Sequence, residues 1–341
     1  MTKFENSMTA VPNAGTQADE CTGSLFSAAA EQWLCMKAAV LKPSTISRYE
    51  IILRNHLLPV FGSRPVSEIT RAEVYAFLNE LVGGSHAEQN SLSPATAAGF
   101  LTVLKSILAY AAQEMDCRVP DLSSIAVKKG CASVQILSRP ETERLLNQIS
   151  RDMTGCNLGI LICLYTGIRL GEICALKWGD ISAEDQTLLV SRTMIRLPAN
   201  EPGRKTEVRV TAPKSSRSAR QIPLPDVLND ILQVRRSSDQ SYVLTDDEER
   251  FVEPRTMQYH FKSVLRAAGI DDINFHALRH TFATRCVEIG FDIKSLSEIL
   301  GHSSVNFTMN RYVHPSMEIK QKNMNRIGQA YPLDPSVPRP E

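Results

Sequence analysis

The eight cysteines, at positions 21, 35, 117, 131, 156, 163, 174 and 286, include no C-x-x-C pair. That spacing argues against a zinc site or a disulfide framework, and several lie in apolar contexts, so reduced, buried thiols are expected. Long apolar runs are also missing. The longest, Leu158 to Tyr165, falls far short of the ~20 residues that cross a bilayer, so no membrane partner is expected. The N-terminus has neither the basic opening nor the apolar stretch of a secretory signal, which points to the cytoplasm. Charge of one sign is not in excess either, with 38 Lys and Arg against 37 Asp and Glu. Local clusters rather than the sum must therefore attract any polyanion. No internal repeat is visible, and 17 Gly with 18 Pro in 341 residues fit an ordinary folded chain, too long for one core and suited to two domains.

What is present divides accordingly. Residues 1–23 lack periodicity and read as a disordered leader. From 24 to 127 the pattern is helical. One segment runs from Ser27 to Ala39, and a second opens at Pro43-Ser44-Thr45 and continues through Leu57. A third is capped by Thr70 with Glu73, and a fourth starts at Ser93-Pro94. A basic linker, 128–137, precedes a second domain, 138–330, opened by the capping motif Ser138-Arg139-Pro140-Glu141. That domain holds an apolar helix at 158–165 and a short helix at 170–176. Strands follow at 187–195, 207–211 and 220–224, with helices beyond Pro225. The proline-rich residues 331–341 read as a loose tail. Between Arg204 and Arg220 six bases face one acid, Glu207; a solvated face is the plain reading of such a run.

Candidate chemistry is confined to the second domain. It offers Thr166-Gly167-Ile168-Arg169-Leu170-Gly171-Glu172, Lys214, His276-Ala277-Leu278-Arg279-His280, Leu300-Gly301-His302 and Arg311-Tyr312. Singly each is weak. Arg169 reads as a surface or capping residue and Tyr312 as a half-buried aromatic. His276 and His280 have metal-pair spacing but lack the glutamate of H-E-x-x-H. Together, two arginines, a lysine, two histidines and a tyrosine suit phosphoryl transfer without a metal or cofactor. Guanidinium groups clamp the non-bridging oxygens, a lysine beside other cations protonates a leaving oxygen, and a stabilised phenolate attacks.

These motifs, with Lys214-Ser215-Ser216-Arg217-Ser218-Ala219-Arg220-Gln221-Ile222-Pro223-Leu224, resemble the tyrosine recombinases of the phage-integrase family over about 300 residues, and integrases of mobile elements in particular. The resemblance implies a mainly α fold with a small β-sheet. A helical, SAM-like core-binding domain would precede a mixed α/β catalytic domain, the two closing as a clamp on duplex DNA. Tyr312 would form a 3′-phosphotyrosyl link, Arg169 and Arg279 would bind the phosphate, and Lys214 would protonate the 5′ oxygen. His276 would assist proton transfer at the nucleophile, His302 would hydrogen-bond the phosphate, and Glu172 would support the site. No cofactor or metal is implied. Partners would be double-stranded DNA, further copies in a homotetramer on two sites, and accessory DNA-bending or directionality factors. Met317 to Ile327 matches the segment that packs on a neighbouring protomer. Three features depart from the family pattern. Tyr312 stands ten positions after His302, Pro213 precedes the lysine, and Lys205 is a competing lysine. The rival readings are a type IB topoisomerase-like nicking-resealing enzyme and a DNA-binding regulator without activity.

Overall fold

The computed structural model describes residues 23–83, 92–128, 134–153, 155–199, 206–211, 219–313 and 317–331. Two compact units divide between Ala132 and Ser133. The first is helical: α1 Phe26–Ala38, α2 Pro43–Ile52, a π-helical turn Leu53–Leu57, α3 Leu58–Phe61, α4 Arg71–Gly83 and α5 Pro94–Glu114. Local chemistry sets its helix starts. The Ser93 side chain accepts the Thr96 N–H at N-cap of α5, with Pro94 fixing the first turn. Ahead of α4, the Thr70 N–H donates to Glu73 at 2.8 Å and the Glu73 N–H donates back to Thr70 Oγ1 at 3.3 Å, a reciprocal cap.

Phe26, Trp33, Leu57, Phe61, Phe77 and Leu104 fill this unit's core. Trp33 settles its one polar atom by donating from Nε1 to Ser106 Oγ at 3.0 Å. By length and composition α5 is the one described helix apolar enough to cross a membrane, a stretch that small and polar residues interrupt in the sequence. Its buried side chains, among them Phe100, Leu104 and Ile107, belong to the core of this unit.

The second unit begins with α6 Arg139–Ile149, α7 Gly155–Thr166 and α8 Leu170–Cys174. Ser138 and Glu141 complete a capping box on α6. Strands β1 Ile181–Ser182, β2 Thr187–Val190 and β5 Arg220–Pro223 form one antiparallel sheet in the order β1-β2-β5, while β3 Thr193–Pro198 and β4 Thr206–Thr211 make a separate hairpin. Helices α9 Asp226–Arg235, α10 Pro254–Ala267, α11 His276–Glu288, α12 Ile293–Leu300, α13 Val305–Tyr312 and α14 Met317–Ala330 follow. Helix α7 is apolar on every face and buried from Leu158 to Leu164, as a central core helix must be.

Three expectations change here. The strand expected over 187–195 is two strands in different sheets, because Leu189 pairs with Gln221 whereas Ile195 pairs with Arg209. Leu137, placed in the linker by its sequence, is buried in the second core, and its N–H donates to Thr281 Oγ1 at 2.9 Å. Among the described cysteines, Cys117, Cys163, Cys174 and Cys286 are buried free thiols, but Cys35 is exposed. Residues 1–22 of the leader, the tail beyond Tyr331, Lys205 and Lys214 lie outside the described residues.

Candidate active site

The site is organised by the C-terminal end of α12. A helix end leaves carbonyls without intrahelical partners and carries the negative pole of the helix dipole. Here Gly301 takes φ 63°, a left-handed conformation that favours glycine. The His302 N–H donates to Ser297 O at 3.0 Å and the Gly301 N–H to Glu298 O at 2.9 Å, closing a Schellman turn. The turn presents three successive carbonyls to three guanidinium groups. Arg220 Nε donates to Ile299 O at 2.5 Å, Arg279 Nη2 to Leu300 O at 2.6 Å, and Arg169 Nη2 to Gly301 O at 3.0 Å.

Each arginine arrives from a different element. Arg169 is the N-cap residue of α8, just after the Thr166-Gly167 turn. Gly167 holds φ 65°, and a Cβ there would meet Phe282 at 2.5 Å. Arg279, in the second turn of α11, is 2% exposed and donates its other terminal nitrogen to Gly167 O at 2.7 Å. Arg220 opens β5, whose alternation turns Arg220 and Ile222 inward.

One carboxylate serves this group of cations. Glu172 accepts from both terminal nitrogens of Arg220, at 3.1 and 2.9 Å. It also accepts from Arg169 Nη1 at 2.7 Å and from the Arg169 N–H at 2.9 Å. Burial alone would raise the Glu172 pKa, but the Arg220 hydrogen bonds and charge, with Arg169, hold it at about 2. Arg279, losing solvent and facing Arg169 and Arg220, falls to about 9.

The nucleophile candidate lies against α11. Tyr312, at the end of α13, is 6% exposed, and its hydroxyl lies 2.7 Å from His280 Nδ1. The His302 ring is parallel to the Tyr312 ring with centroids 6.4 Å apart, and His302 Nδ1 lies 2.8 Å from Thr308 Oγ1. The rings of His276 and His280 meet edge to face at 4.6 Å. All three imidazoles are held neutral. His276 begins α11 with an exposed face, yet solvent displaced from its ring and then Arg279, Arg169 and Arg311 lower it to about 4. Burial, then His276, Arg311 and Arg279, lowers His280 to about 4. Burial followed by Arg279 and Arg169 takes His302 to about 3. Loss of solvent raises the Tyr312 phenol, opposed by Arg279, Arg311 and Arg169.

The structure thus brings Arg169, Glu172, His276, Arg279, His302 and Tyr312 together. Lys214 belongs to the stretch between β4 and β5, outside the described residues. Two members of the cluster were missed by sequence reasoning. Arg220 counted as part of a solvated charge run and of the hairpin segment after Lys214, with no role of its own, though the alternation Arg220-Gln221-Ile222-Pro223 was the available signal for an inward side chain. His280 was weighed only as a metal partner of His276; its place beside Arg279 on α11 was the signal.

Residues 135–318 match the model of the phage integrase family, and residues 25–82 match the phage integrase N-terminal SAM-like domain. The chain belongs to the phage integrase family and so to the tyrosine recombinases, which are DNA strand-transferring enzymes. It is 28% identical over 298 residues to a tyrosine recombinase XerC-like protein of Caldanaerobacter subterraneus subsp. tengcongensis, covering 80% of this chain and 74% of that one. It is 26% identical over 302 residues to a putative prophage phiRv2 integrase of Mycobacterium tuberculosis, covering 86% and 75%. In fold it is similar to the Tn1549 transposon integrase solved with transposon right end DNA, with TM-score 0.73, 19% identity, and 89% and 100% of the two chains covered. It is also similar to a lambda integrase dimer bound to a COC′ core site, with TM-score 0.62, 17% identity, and 84% and 94% covered.

Proposed function

We propose that this chain is a site-specific DNA recombinase that cuts and rejoins DNA through a 3′-phosphotyrosyl intermediate on Tyr312, serving the integration and excision of a mobile element. The supporting observation is that Arg169 and Arg279 meet on the turn at the end of α12, while the buried Tyr312 ring lies parallel to that of His302, the next residue after the turn. A guanidinium group has five N–H donors. Arg169 gives one N–H to Gly301 O and one to Glu172, Arg279 gives one to Leu300 O and one to Gly167 O, and the N–H donors left on each neutralise the non-bridging oxygens of a scissile phosphate. Tyr312 Oη attacks the phosphorus and the bond to the 5′ oxygen breaks. Lys214 supplies the proton to that oxygen. His276 and His302 face the same phosphate, and Glu172 fixes Arg169. The covalent link conserves the bond energy for rejoining, so neither nucleotide nor metal takes part.

Double-stranded DNA is the partner. The exposed face of α10 carries Arg255, Tyr259, Lys262 and Arg266, and that helix contains no acidic residue, which suits a phosphate backbone. Residues 24–127 act as the helical core-binding domain. A homotetramer spanning two DNA sites is the working assembly, in the cytoplasm, with accessory DNA-bending or directionality factors. Helix α14 leaves Met317, Met324 and Ile327 exposed. The same unit has an apolar cavity of about 550 Å³ lined by Leu146, Leu224, Phe282, Ile289 and Phe291. A second copy's α14 fits that groove by its apolar character.

Covalent capture on a nicked suicide substrate tests the reading. Tyr312→Phe should abolish the adduct and leave DNA affinity nearly unchanged, and capture should persist in EDTA. An adduct formed by Tyr312→Phe, or capture that needs a divalent ion, would overturn it.

A further inference from the structure

The family resemblance implies that His276 assists proton transfer at the nucleophile, but the side chain that touches the phenol is His280. We propose that His280 Nδ1 accepts the Tyr312 hydroxyl proton as the phenol attacks the DNA phosphorus. The inference rests on Tyr312 being the nucleophile.

Geometry carries it. The two heavy atoms lie 2.7 Å apart, hydrogen-bond range for a proton in flight. Both residues are buried, Tyr312 at 6% and His280 at 7% exposure, so the proton has a poor route to bulk water. A buried phenol resists ionisation without a partner. With the imidazole neutral and its own proton on Nε2, the hydroxyl donates to Nδ1, and the acceptor is already aligned.

The charges around His280 make the transfer depend on substrate. His276 and Arg279 face it from its own helix and Arg311 from α13, and they disfavour an imidazolium in the empty site. A phosphodiester seated against Arg169 and Arg279 brings negative charge, and the transition state adds more. That charge offsets the cations and makes His280 a better base when the scissile phosphate is in place. The step balances. The Tyr312 O–H bond breaks as Nδ1–H forms, Tyr312 Oη–P forms, P–O5′ breaks, and the 5′ oxygen takes its proton from Lys214. Rejoining runs the same transfers in reverse, with His280 returning the proton to the phenol oxygen.

The test uses the full chain on suicide DNA in two versions, one with the ordinary 5′ oxygen and one with sulfur at the bridging position. A thiolate leaves without a proton, so only deprotonation of the nucleophile remains to be read. Asparagine can accept the hydrogen bond but cannot hold the proton. His280→Asn should therefore slow covalent capture about 10² to 10⁴-fold on both substrates, with DNA affinity unchanged. Lys214→Ala should recover on the sulfur substrate alone. Imidazole added to His280→Ala should restore capture in proportion to its neutral fraction.

Capture by His280→Asn at the wild-type rate would overturn the inference. Faster capture by His280→Ala would do the same, because the contact would then restrain the tyrosine. The wild-type rate on the sulfur substrate gives a readout independent of any variant. It should rise with pH and level off at the pKa of His280 in the DNA complex, whereas a unit-slope rise continuing through pH 9 marks direct phenol ionisation and contradicts the transfer. Absence of a wild-type adduct, or its survival in Tyr312→Phe, would count against the recombinase reading itself.

Discussion

Glu172 is 5% exposed and Arg220 8% exposed, and their two-pronged contact is the most buried ion pair described in the second unit. Removing one partner of such a pair leaves the other charge buried without compensation, at a cost of about 3–5 kcal/mol. Glu172→Gln should therefore lower the unfolding free energy of the second unit by that order, read as a lower urea midpoint, and slow DNA cleavage through loss of the Arg169 anchor. An unchanged midpoint would show that water replaces the carboxylate. His280 links stability to pH. Its pKa falls from 6.5 to about 4 on folding, so between those values the unfolded chain holds a proton that the folded chain lacks. Stability should fall as pH drops from about 6.5 toward 4, by up to about 1.4 kcal/mol per pH unit for this one group. His280→Asn should flatten that slope in unfolding measured at pH 7, 6 and 5. At this scale the sequence named Arg169, Lys214, His276, Arg279, His302 and Tyr312 as candidates, because their residue types and local motifs suit one chemistry, and the family resemblance added Glu172. The sequence placed Arg220 in a solvated charge run: the β5 alternation could have turned the side chain inward, but its partner Glu172, 48 residues away, is encoded by no local pattern.

Among the elements, the end of α12 does most to shape the site, since one turn gathers three guanidinium groups. Gly301 is its weak point. An added Cβ would meet Arg220 Cδ at 3.1 Å in a backbone conformation with φ 63°. Gly301→Ala should cost about 1–2 kcal/mol in left-handed strain alone, and displacement of Arg220 adds to it. Thermal unfolding together with the rate of covalent capture checks this, and full activity at wild-type stability would contradict it. Helix starts were legible because caps are local: Thr70 with Glu73, Ser93 with Thr96 and Ser138 with Glu141 each complete their bonds within four residues. The strand over 187–195 was misread for the opposite reason. Val190 and Thr193 both continue an extended run, yet Val190 pairs with Arg220 and Thr193 with Thr211, and strand partners are chosen by the fold.

On the scale of the whole molecule, the chain carries separate cores, one built around Trp33, Phe61 and Leu104 and the other around Leu161, Trp178 and Phe261. A fragment of residues 134–341 should therefore unfold cooperatively by itself and keep the Tyr312–His280 contact; a fragment without a folding transition would show that the second core needs the first. Deleting residues 317–341 should leave single-site cleavage in place and abolish strand exchange between two sites, because exposed apolar residues of α14 are the proposed contact between copies. Loss of cleavage itself would mean that α14 supports its own protomer. The most direct measurement is mass-spectrometric mapping of the peptide bonded to trapped DNA. The phosphotyrosyl link should fall on Tyr312, with a free 5′-hydroxyl on the released strand. A link on any other residue, or a released 5′-phosphate, would contradict the chemistry proposed for this site.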